Sequence, residues 1–273
     1  MPVANRGMSH AYSITTAIDA IRQLLPSGYR LELPADSGGM VPQTGVYPGM
    51  TAPVIRRSAA GALALSPVWW GMPTPQNVIW KRAKARADRL IERHHQPMSP
   101  DEFEELQMAE PDPGAHNVRN TESPHWRRWL GPECRVVVPF NSFAEWSDLI
   151  GPGGRKHGNT WFALGEDRPP AFFAGVMAER WTSIRRIGQA AMTTDLFAFL
   201  TTEPNAEVRA VQESMPVILR SCEEVEQWLT APWDEARQLK RPLPDGSLTI
   251  VAIGSKEDPP EKALEPPLQP TLF

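Results

Sequence analysis

Short apolar runs separated by proline and glycine dominate the hydrophobic pattern of this chain, and they predict more strands than helices. Residues 53–57 and 63–70 are two such runs around a turn at 58–61, which is typical of a β-hairpin. Pro139 predicts that its strand lies at a sheet edge or contains a bulge. Further predicted strands cover residues 135–143, 161–164, 171–176 (following a turn at 166–170), 196–202, 216–219 and 248–252.

Helical periodicity occurs in fewer places. Residues 13–25 place their apolar side chains on one face, and Pro26, Ser27 and Gly28 follow, so we expect an amphipathic helix there. A short helix is predicted at 205–211. Ser221 is followed three residues later by Glu224, which predicts a capping box at the start of a helix over residues 222–231.

Residues 81–110 differ in character from the rest of the chain. A basic half (81–93) and an acidic half (101–110) are separated by prolines at 97 and 100. This pattern predicts a charged helical insertion, bounded by residues 111–114. Its charges indicate either a solvated surface or a binding arm, and charge runs more often form the former.

Composition narrows the class of protein. The chain has 273 residues, 41% of them hydrophobic, and a net charge of −4, so it can bury a core but is not basic overall. Nucleic-acid binding would therefore need a local patch. Two cysteines without a CxxC pair, and His94-His95 without suitable partners, favour neither a disulfide framework nor a metal site. Without a long apolar run or a secretory signal, we expect a cytoplasmic protein without a membrane span.

Candidate chemistry is concentrated in residues 116–146. Asn117 and Arg119 stand at its start, and a basic-aromatic cluster follows at 125–129. Glu145 closes an apolar strand just before Trp146. This pattern indicates a site, although a strand-end glutamate paired with an arginine is the alternative for Glu145. The turn at 69–73 contains Trp69, Trp70 and Met72, which could equally be core residues or face a ligand.

In this order, the segments resemble the SRAP family of SOS response-associated peptidases, or abasic-site processing proteins. The resemblance covers about residues 8–255 and implies an α+β fold, a single SRAP-type domain with a mostly antiparallel, barrel-like β core and peripheral helices. Residues 1–7 would then be a loose extension, and residues 256–273 a disordered, proline-rich tail. The segments that carry it are YSITTAIDAIRQLL, PVWWGMP, HNVRNTESPHWRRWLGPE, VVVPFNSFAEW, FFAGV, FAFLTTEPNAEV and MPVIL.

The family resemblance implies a specific chemistry. Such proteins act on abasic sites in single-stranded DNA, where the opened deoxyribose exposes an aldehyde. A cysteine that follows the removed initiator methionine forms a Schiff base through its α-amine and then a stable thiazolidine through its thiolate. An α-amine has a pKa of about 8, so part of it is nucleophilic at pH 7. A glutamate and a histidine transfer protons.

Matched position by position, the family's catalytic residues correspond to Ser9, Asn117, Glu145 and Gln212. Two of these depart from the family: Ser9 stands in place of the cysteine, and Gln212 in place of the histidine. Neither a serine hydroxyl nor a glutamine side chain replaces the lost chemistry directly. The matched DNA-binding positions are Trp69, Trp70, Met72, Arg119, Arg127 and Arg128.

Two functions follow from the resemblance. The first is binding and processing of abasic single-stranded DNA in the DNA damage response, by a monomer that needs no cofactor, metal or membrane. The second is a catalytically degenerate SRAP fold that binds DNA or a partner. A general protease is disfavoured because no serine triad can be assembled. Whether translation starts at Met1 or Met8 decides whether Ser9 can expose an α-amine.

Overall fold

A computed structural model describes residues 11–33, 42–58, 61–150 and 156–258, without the side chains of 148–150 and 156–157. These residues form an α+β domain in which a mostly antiparallel β core is surrounded by helices, which confirms the predicted fold class. The strands are β1 (Ala11–Ile14), β2 (Leu31–Glu32), β3 (Gln43–Val46), β4 (Thr51–Arg57), β5 (Leu63–Trp70), β6 (Asn117–Val118), β7 (Arg135–Phe140), β8 (Ser142–Ile150), β9 (Lys156–Ala163), β10 (Ala171–Ser183), β11 (Met192–Thr202), β12 (Met215–Pro216), β13 (Ile218–Leu219) and β14 (Thr249–Ile253).

Helices cover the outside of this core. The longest described helix, α2, precedes α3 in the charged region, and α6 follows the short strands β12 and β13. Their bounds are α1 (Ile18–Gln23), α2 (Gln76–His94), α3 (Pro100–Met108), α4 (Pro124–Arg127), α5 (Ala206–Arg209), α6 (Cys222–Thr230) and α7 (Trp233–Ala236).

One of the two sheets that the described residues form closes on itself. Its strands follow the order β12-β11-β10-β7-β4-β5-β2, and β5 also pairs with β11. Strands β5, β4, β7, β10 and β11 therefore form a closed ring, which leaves no free edge between them. The predicted hairpin is confirmed, because β4 and β5 pair from Thr51↔Trp69 to Arg57↔Leu63.

The second sheet packs against this barrel. Its order is β14-β9-β8-β1-β3. Phe143 of β8 stacks on Phe162 of β9 at 5.5 Å and meets Phe173 of the barrel edge-on at 6.1 Å. Tyr12 of β1 also contacts Phe173, at 5.6 Å. The aromatic core therefore lies between the sheets, on the inner faces of β1, β8 and β9.

The predicted helix over residues 13–25 is wrong in its first part. Residues 11–14 form β1, which pairs with β8, and the helix begins only at Ile18. An apolar face at residues 14, 17 and 18 fits a helix locally. Residues 11–14 nevertheless form a strand, because their backbone groups hydrogen-bond to β8. Tertiary pairing here overrides local periodicity.

The predicted strand over residues 135–143 is also wrong as a single element. Asn141 separates β7 from β8, which belong to different sheets. The Asn141 side chain accepts hydrogen bonds from the backbone of Thr15 at 2.8 Å and Thr16 at 3.1 Å, which fixes this crossover. Pro139 does not lie on an edge strand, because β7 is flanked by β10 and β4. It is tolerated because β4 pairs only with Val136 and Val137.

Most of the remaining predicted elements are present with shifted bounds, but the strand predicted at 216–219 is divided into β12, which pairs with β11, and β13, which pairs with β10. The strands predicted at 161–164 and 171–176 are β9 and β10, but they belong to different sheets. Ser221 caps α6 by accepting from the Glu224 amide at 3.2 Å. The return bond of the predicted capping box is different, because the Glu224 carboxylate accepts from the amide of Arg220.

The charged region is helical, as predicted, and begins earlier, at Gln76. Helix α2 buries Ile79, Ala83 and Ala87. Arg82 and Arg86 lie 3.6 and 3.5 Å from the carboxylate of Glu110, whose side chain is only 6% exposed. The helix is therefore packed on the domain along one face, and its remaining charges face solvent. No helix in the described ranges is long and apolar enough to cross a membrane.

Candidate functional site

Glu145 lies on the inner face of the second sheet. Side chains alternate between the faces of a strand, so Glu145 shares the face of Phe143, which packs in the core. Glu145 is 1% exposed, and Thr160 lies directly opposite it in the pairing of β8 with β9. The first residue of β1, Ala11, lies near Glu145 as well, because it pairs with Ala144. Ser9, two residues before Ala11, lies outside the described residues.

Gln212 approaches the same strand from the barrel side. It follows α5, and its backbone amide donates to the carbonyl of Val208 at 2.8 Å. Its side-chain Nε2 donates to the carbonyl oxygen of Trp146 at 3.4 Å. The structure therefore brings Gln212 next to the segment that carries Glu145, although 66 residues separate Gln212 from Trp146 in sequence.

Asn117 and Arg119 approach from a third direction. Asn117 belongs to β6, which pairs in parallel with β11, where its partner is Phe199. The guanidinium of Arg119 donates to the carbonyl of Glu213 at 3.5 Å and lies 3.9 Å from the carboxylate of Glu203. Arg119 is thereby joined to the residue that follows Gln212. Three segments, at 117–119, 145–146 and 212–213, are connected through two hydrogen bonds.

The turn after β5 divides its side chains between core and surface. Trp70 and Met72 are fully buried. The Trp70 ring lies 5.4 Å from Tyr12 and 5.0 Å from Phe199, and its Nε1 donates to the carbonyl of His116 at 2.8 Å. Trp69 remains partly exposed. Of the three predicted ligand-facing residues in this turn, only Trp69 presents surface to solvent in this structure.

In the basic-aromatic cluster at 125–129, the tryptophan rings are buried and the arginine side chains are exposed. Trp126 and Trp129 are buried, and the Arg128 guanidinium lies 4.2 Å from the centroid of the Trp129 ring. Arg127 points outward beside Glu122, 3.4 Å away, with 62% of its side chain exposed. We name the exposed cations Arg127 and Arg128 the basic patch.

His125 connects the basic patch to the start of α2. Its Nε2 donates to the carbonyl of Pro73 at 2.8 Å, so its Nδ1 accepts from Arg128 at 3.0 Å. Burial lowers the pKa of His125 below its usual value, which agrees with a neutral ring at pH 7. His125 holds Arg128 in place, a structural role that its position in the sequence did not reveal.

The Cys134 thiol does not resemble an activated nucleophile. Burial raises the pKa of the Cys134 thiol, and the neighbouring Glu133 and Glu179 raise it further, so less thiolate is present. The Cys222 thiol faces the carbonyl of Leu25 at 3.5 Å. The described residues contain no group of three or more His, Cys, Asp or Glu side chains that could hold a metal ion.

Comparisons with known proteins identify relatives of the whole domain. A family model described as SOS response associated peptidase (SRAP) matches residues 8–256. No curated protein matches the chain. A crystal structure of a protein from Bacteroides thetaiotaomicron has a TM-score of 0.53 at 19% identity, over 88% of this chain and 90% of that one. A phage-related protein from Bordetella bronchiseptica has a TM-score of 0.55 at 20% identity, over 88% and 92%. At these identities the two structures establish a shared fold only.

Proposed function

Because the chain belongs to the SOS response-associated peptidase family, we propose that it binds single-stranded DNA at abasic sites during the response to DNA damage. The observation that carries this proposal is the meeting of the segments of Asn117, Glu145 and Gln212. These are three of the four positions at which the family's catalytic residues are expected. The protein acts in the cytoplasm as a monomer in this proposal.

Several exposed groups of the domain suit DNA. Arg119 and the basic patch supply cations to phosphates, although the protein as a whole is acidic. The partly exposed ring of Trp69 offers a face on which a base can stack. Binding should weaken as salt rises, because each phosphate contact releases counterions.

The chemistry of the site differs from that of the family at two positions. Ser9 has no thiolate, so any link formed through its α-amine would stop at a Schiff base or a more labile oxazolidine. Gln212 cannot move protons as a histidine does. Glu145 remains, buried in the inner face of β8, as the group for acid–base work on a Schiff base.

A second function is favoured by these same two substitutions. A chain without the cysteine and the histidine can retain the DNA-binding surface and lose the covalent step. Such a protein would be a binding module with the SRAP fold. The two functions predict the same DNA affinity and differ only in adduct formation.

The decisive experiment restores the missing nucleophile. In a chain that begins at Met8, Ser9→Cys should form an adduct with abasic single-stranded DNA that survives a denaturing gel, whereas the unaltered chain from Met1 should not. Adding Glu145→Gln should slow adduct formation about 100-fold or more, the usual contribution of a general acid–base group, and leave DNA affinity nearly unchanged.

The control is Glu226→Gln, which removes an exposed carboxylate on α6. It should change neither the rate nor the affinity. Absence of an adduct from Ser9→Cys would contradict the assignment of the covalent site. A stable adduct from the unaltered chain would show that Ser9 does not occupy the nucleophile's position.

A further inference from the structure

Thr160 carries a buried hydroxyl that makes no hydrogen bond to the described residues. The residue is 1% exposed, and its Oγ1 accepts or donates no hydrogen bond within the part of the chain that the structure describes. A buried hydroxyl without a partner costs free energy, because its hydrogen bonds to water are lost and not replaced. Valine has the same shape without this cost, so the hydroxyl contributes nothing evident to the described fold and is available to a ligand.

The position of this hydroxyl is informative. Thr160 and Glu145 are partners in the antiparallel pairing of β8 and β9. Directly opposite residues have Cβ atoms about 4.5–5.5 Å apart and point to the same face. Phe162, two residues on, packs on Phe143 in the core, which places Thr160 on the inner face as well.

The next residue, Trp161, differs from Thr160 because its polar group has a hydrogen-bond partner. Trp161 points to the opposite face, and its Nε1 donates to the carbonyl of Ser255 at 2.9 Å. The polar group of Trp161 is thus satisfied by the chain itself. Thr160 is buried as deeply as Glu145, so a ligand that reaches the carboxylate of Glu145 reaches the hydroxyl beside it.

We propose that Thr160 is a further ligand-binding residue of the candidate site, whose hydroxyl donates a hydrogen bond to an oxygen of the opened sugar of abasic DNA. This inference rests on the proposed function, because the ligand is the one proposed there. Glu145 supplies the acidic group of the pair, and Thr160 supplies a neutral donor that holds the sugar beside it. No covalent step is assigned to Thr160.

The test compares three variants of the full chain. Thr160→Val removes the hydroxyl and keeps the volume, and Thr160→Ser keeps the hydroxyl. Thr74→Val is the matched control, because Thr74 is also buried, has an unpartnered Oγ1 and lies outside β8 and β9. Each variant is titrated with fluorescent single-stranded DNA, with and without one abasic site, and its melting temperature is measured.

Thr160→Val should weaken binding of abasic DNA about 3- to 10-fold, the loss of one neutral hydrogen bond, without affecting intact DNA. Its melting temperature should stay equal or rise. Thr160→Ser should bind like the unaltered protein, and Thr74→Val should not change binding.

Two results would overturn the inference, and they are distinguishable. If the unaltered chain prefers abasic DNA and Thr160→Val keeps that preference, Thr160 does not contact the ligand and the proposed function stands. If the unaltered chain does not prefer abasic DNA, the proposed function fails and the role of Thr160 fails with it. In the first of these cases, a lower melting temperature of Thr160→Val would assign the hydroxyl to folding alone.

Discussion

At the scale of single residues, Tyr12 places a hydroxyl in the middle of the aromatic core. Its ring makes edge contacts with Trp70 at 5.4 Å and Phe173 at 5.6 Å. The residue is fully buried, and its hydroxyl oxygen has no hydrogen-bond partner in the described residues. Burial raises the pKa of Tyr12 well above its usual value. The ring stabilises the core, and the hydroxyl opposes it.

We predict that Tyr12→Phe raises the free energy of unfolding by about 1 kcal/mol at pH 7, because the ring contacts remain and the unpartnered hydroxyl is lost. Above a pH of about 10, the unfolded state releases the phenol proton and the folded state keeps it, so the unaltered protein loses stability as pH rises. Tyr12→Phe should lack this part of the alkaline loss. Urea unfolding at pH 7 and at pH 10.5 measures both effects.

Tyr29→Phe serves as the control, because Tyr29 is partly exposed and its change should be close to neutral. A clear loss of stability in Tyr12→Phe would mean that the hydroxyl has a partner in the folded protein.

At the scale of elements, a close backbone contact between Gly71 and Gly114 positions β6, the strand that contains Asn117. Met72 and Ala115 exchange backbone hydrogen bonds of 2.9 and 2.7 Å, directly beside Gly71 and Gly114. Gly114 has φ +84°, and a Cβ atom there would lie 2.8 Å from the Cα of Gly71. The turn after β5 and the segment leading into β6 can approach this closely only without a side chain.

We predict that Gly114→Ala lowers the free energy of unfolding by roughly 3 kcal/mol, since it adds a steric clash to the cost of a left-handed backbone. The matched change is Gly188→Ala, at φ +78° with no atom within 4 Å of the added Cβ. It should cost about 1–2 kcal/mol, from the backbone conformation alone. Denaturant unfolding of both variants gives the difference, and equal losses would show that the backbones of Gly71 and Gly114 can separate freely.

At the scale of the whole molecule, residues 254–258 tie the second sheet together. The Asp258 carboxylate is 2% exposed and accepts from Arg168 at 2.8 and 3.0 Å and from the hydroxyl of Ser142 at 2.5 Å. Ser142 in turn meets the hydroxyl of Ser13, at 2.7 Å. The Asp258 amide donates to the carbonyl of Thr44. One buried residue thereby links β1, β8 and the segment of β3, within the span that the sequence predicted as a tail from residue 256.

We predict that Asp258→Ala lowers the free energy of unfolding by about 3 kcal/mol, because it leaves the largely buried guanidinium of Arg168 without its partner. Asp19→Ala breaks the exposed ion pair with Arg22, whose side chains are 80% and 45% exposed, and should cost less than about 1 kcal/mol. Thermal unfolding of the two variants measures the contrast. A loss in Asp258→Ala no larger than in Asp19→Ala would place these residues outside the cooperative fold.

Some parts of the fold and of the candidate site can be predicted from the sequence, and others cannot. The hairpin of β4 and β5 was predicted because its turn and strands are neighbours in the chain. Glu145 and Asn117 were singled out by residue type and by resemblance to the family. Thr160 gave no signal, because its importance comes from its place opposite Glu145 in a strand pair. Gln212 was matched by sequence, but its contact with Trp146 required the fold.

The sequence by itself determined the features that depend on adjacent residues: the apolar runs of the strands, the helical character of the charged region and the cap at Ser221. Only the tertiary structure decided that residues 11–14 form a strand, that Pro139 lies in an interior strand and that Trp70 is buried. The physical reason is that strand pairing and burial depend on partners distant in the chain. β8 completes the backbone hydrogen bonds of β1, and rings from β1 and β11 surround Trp70.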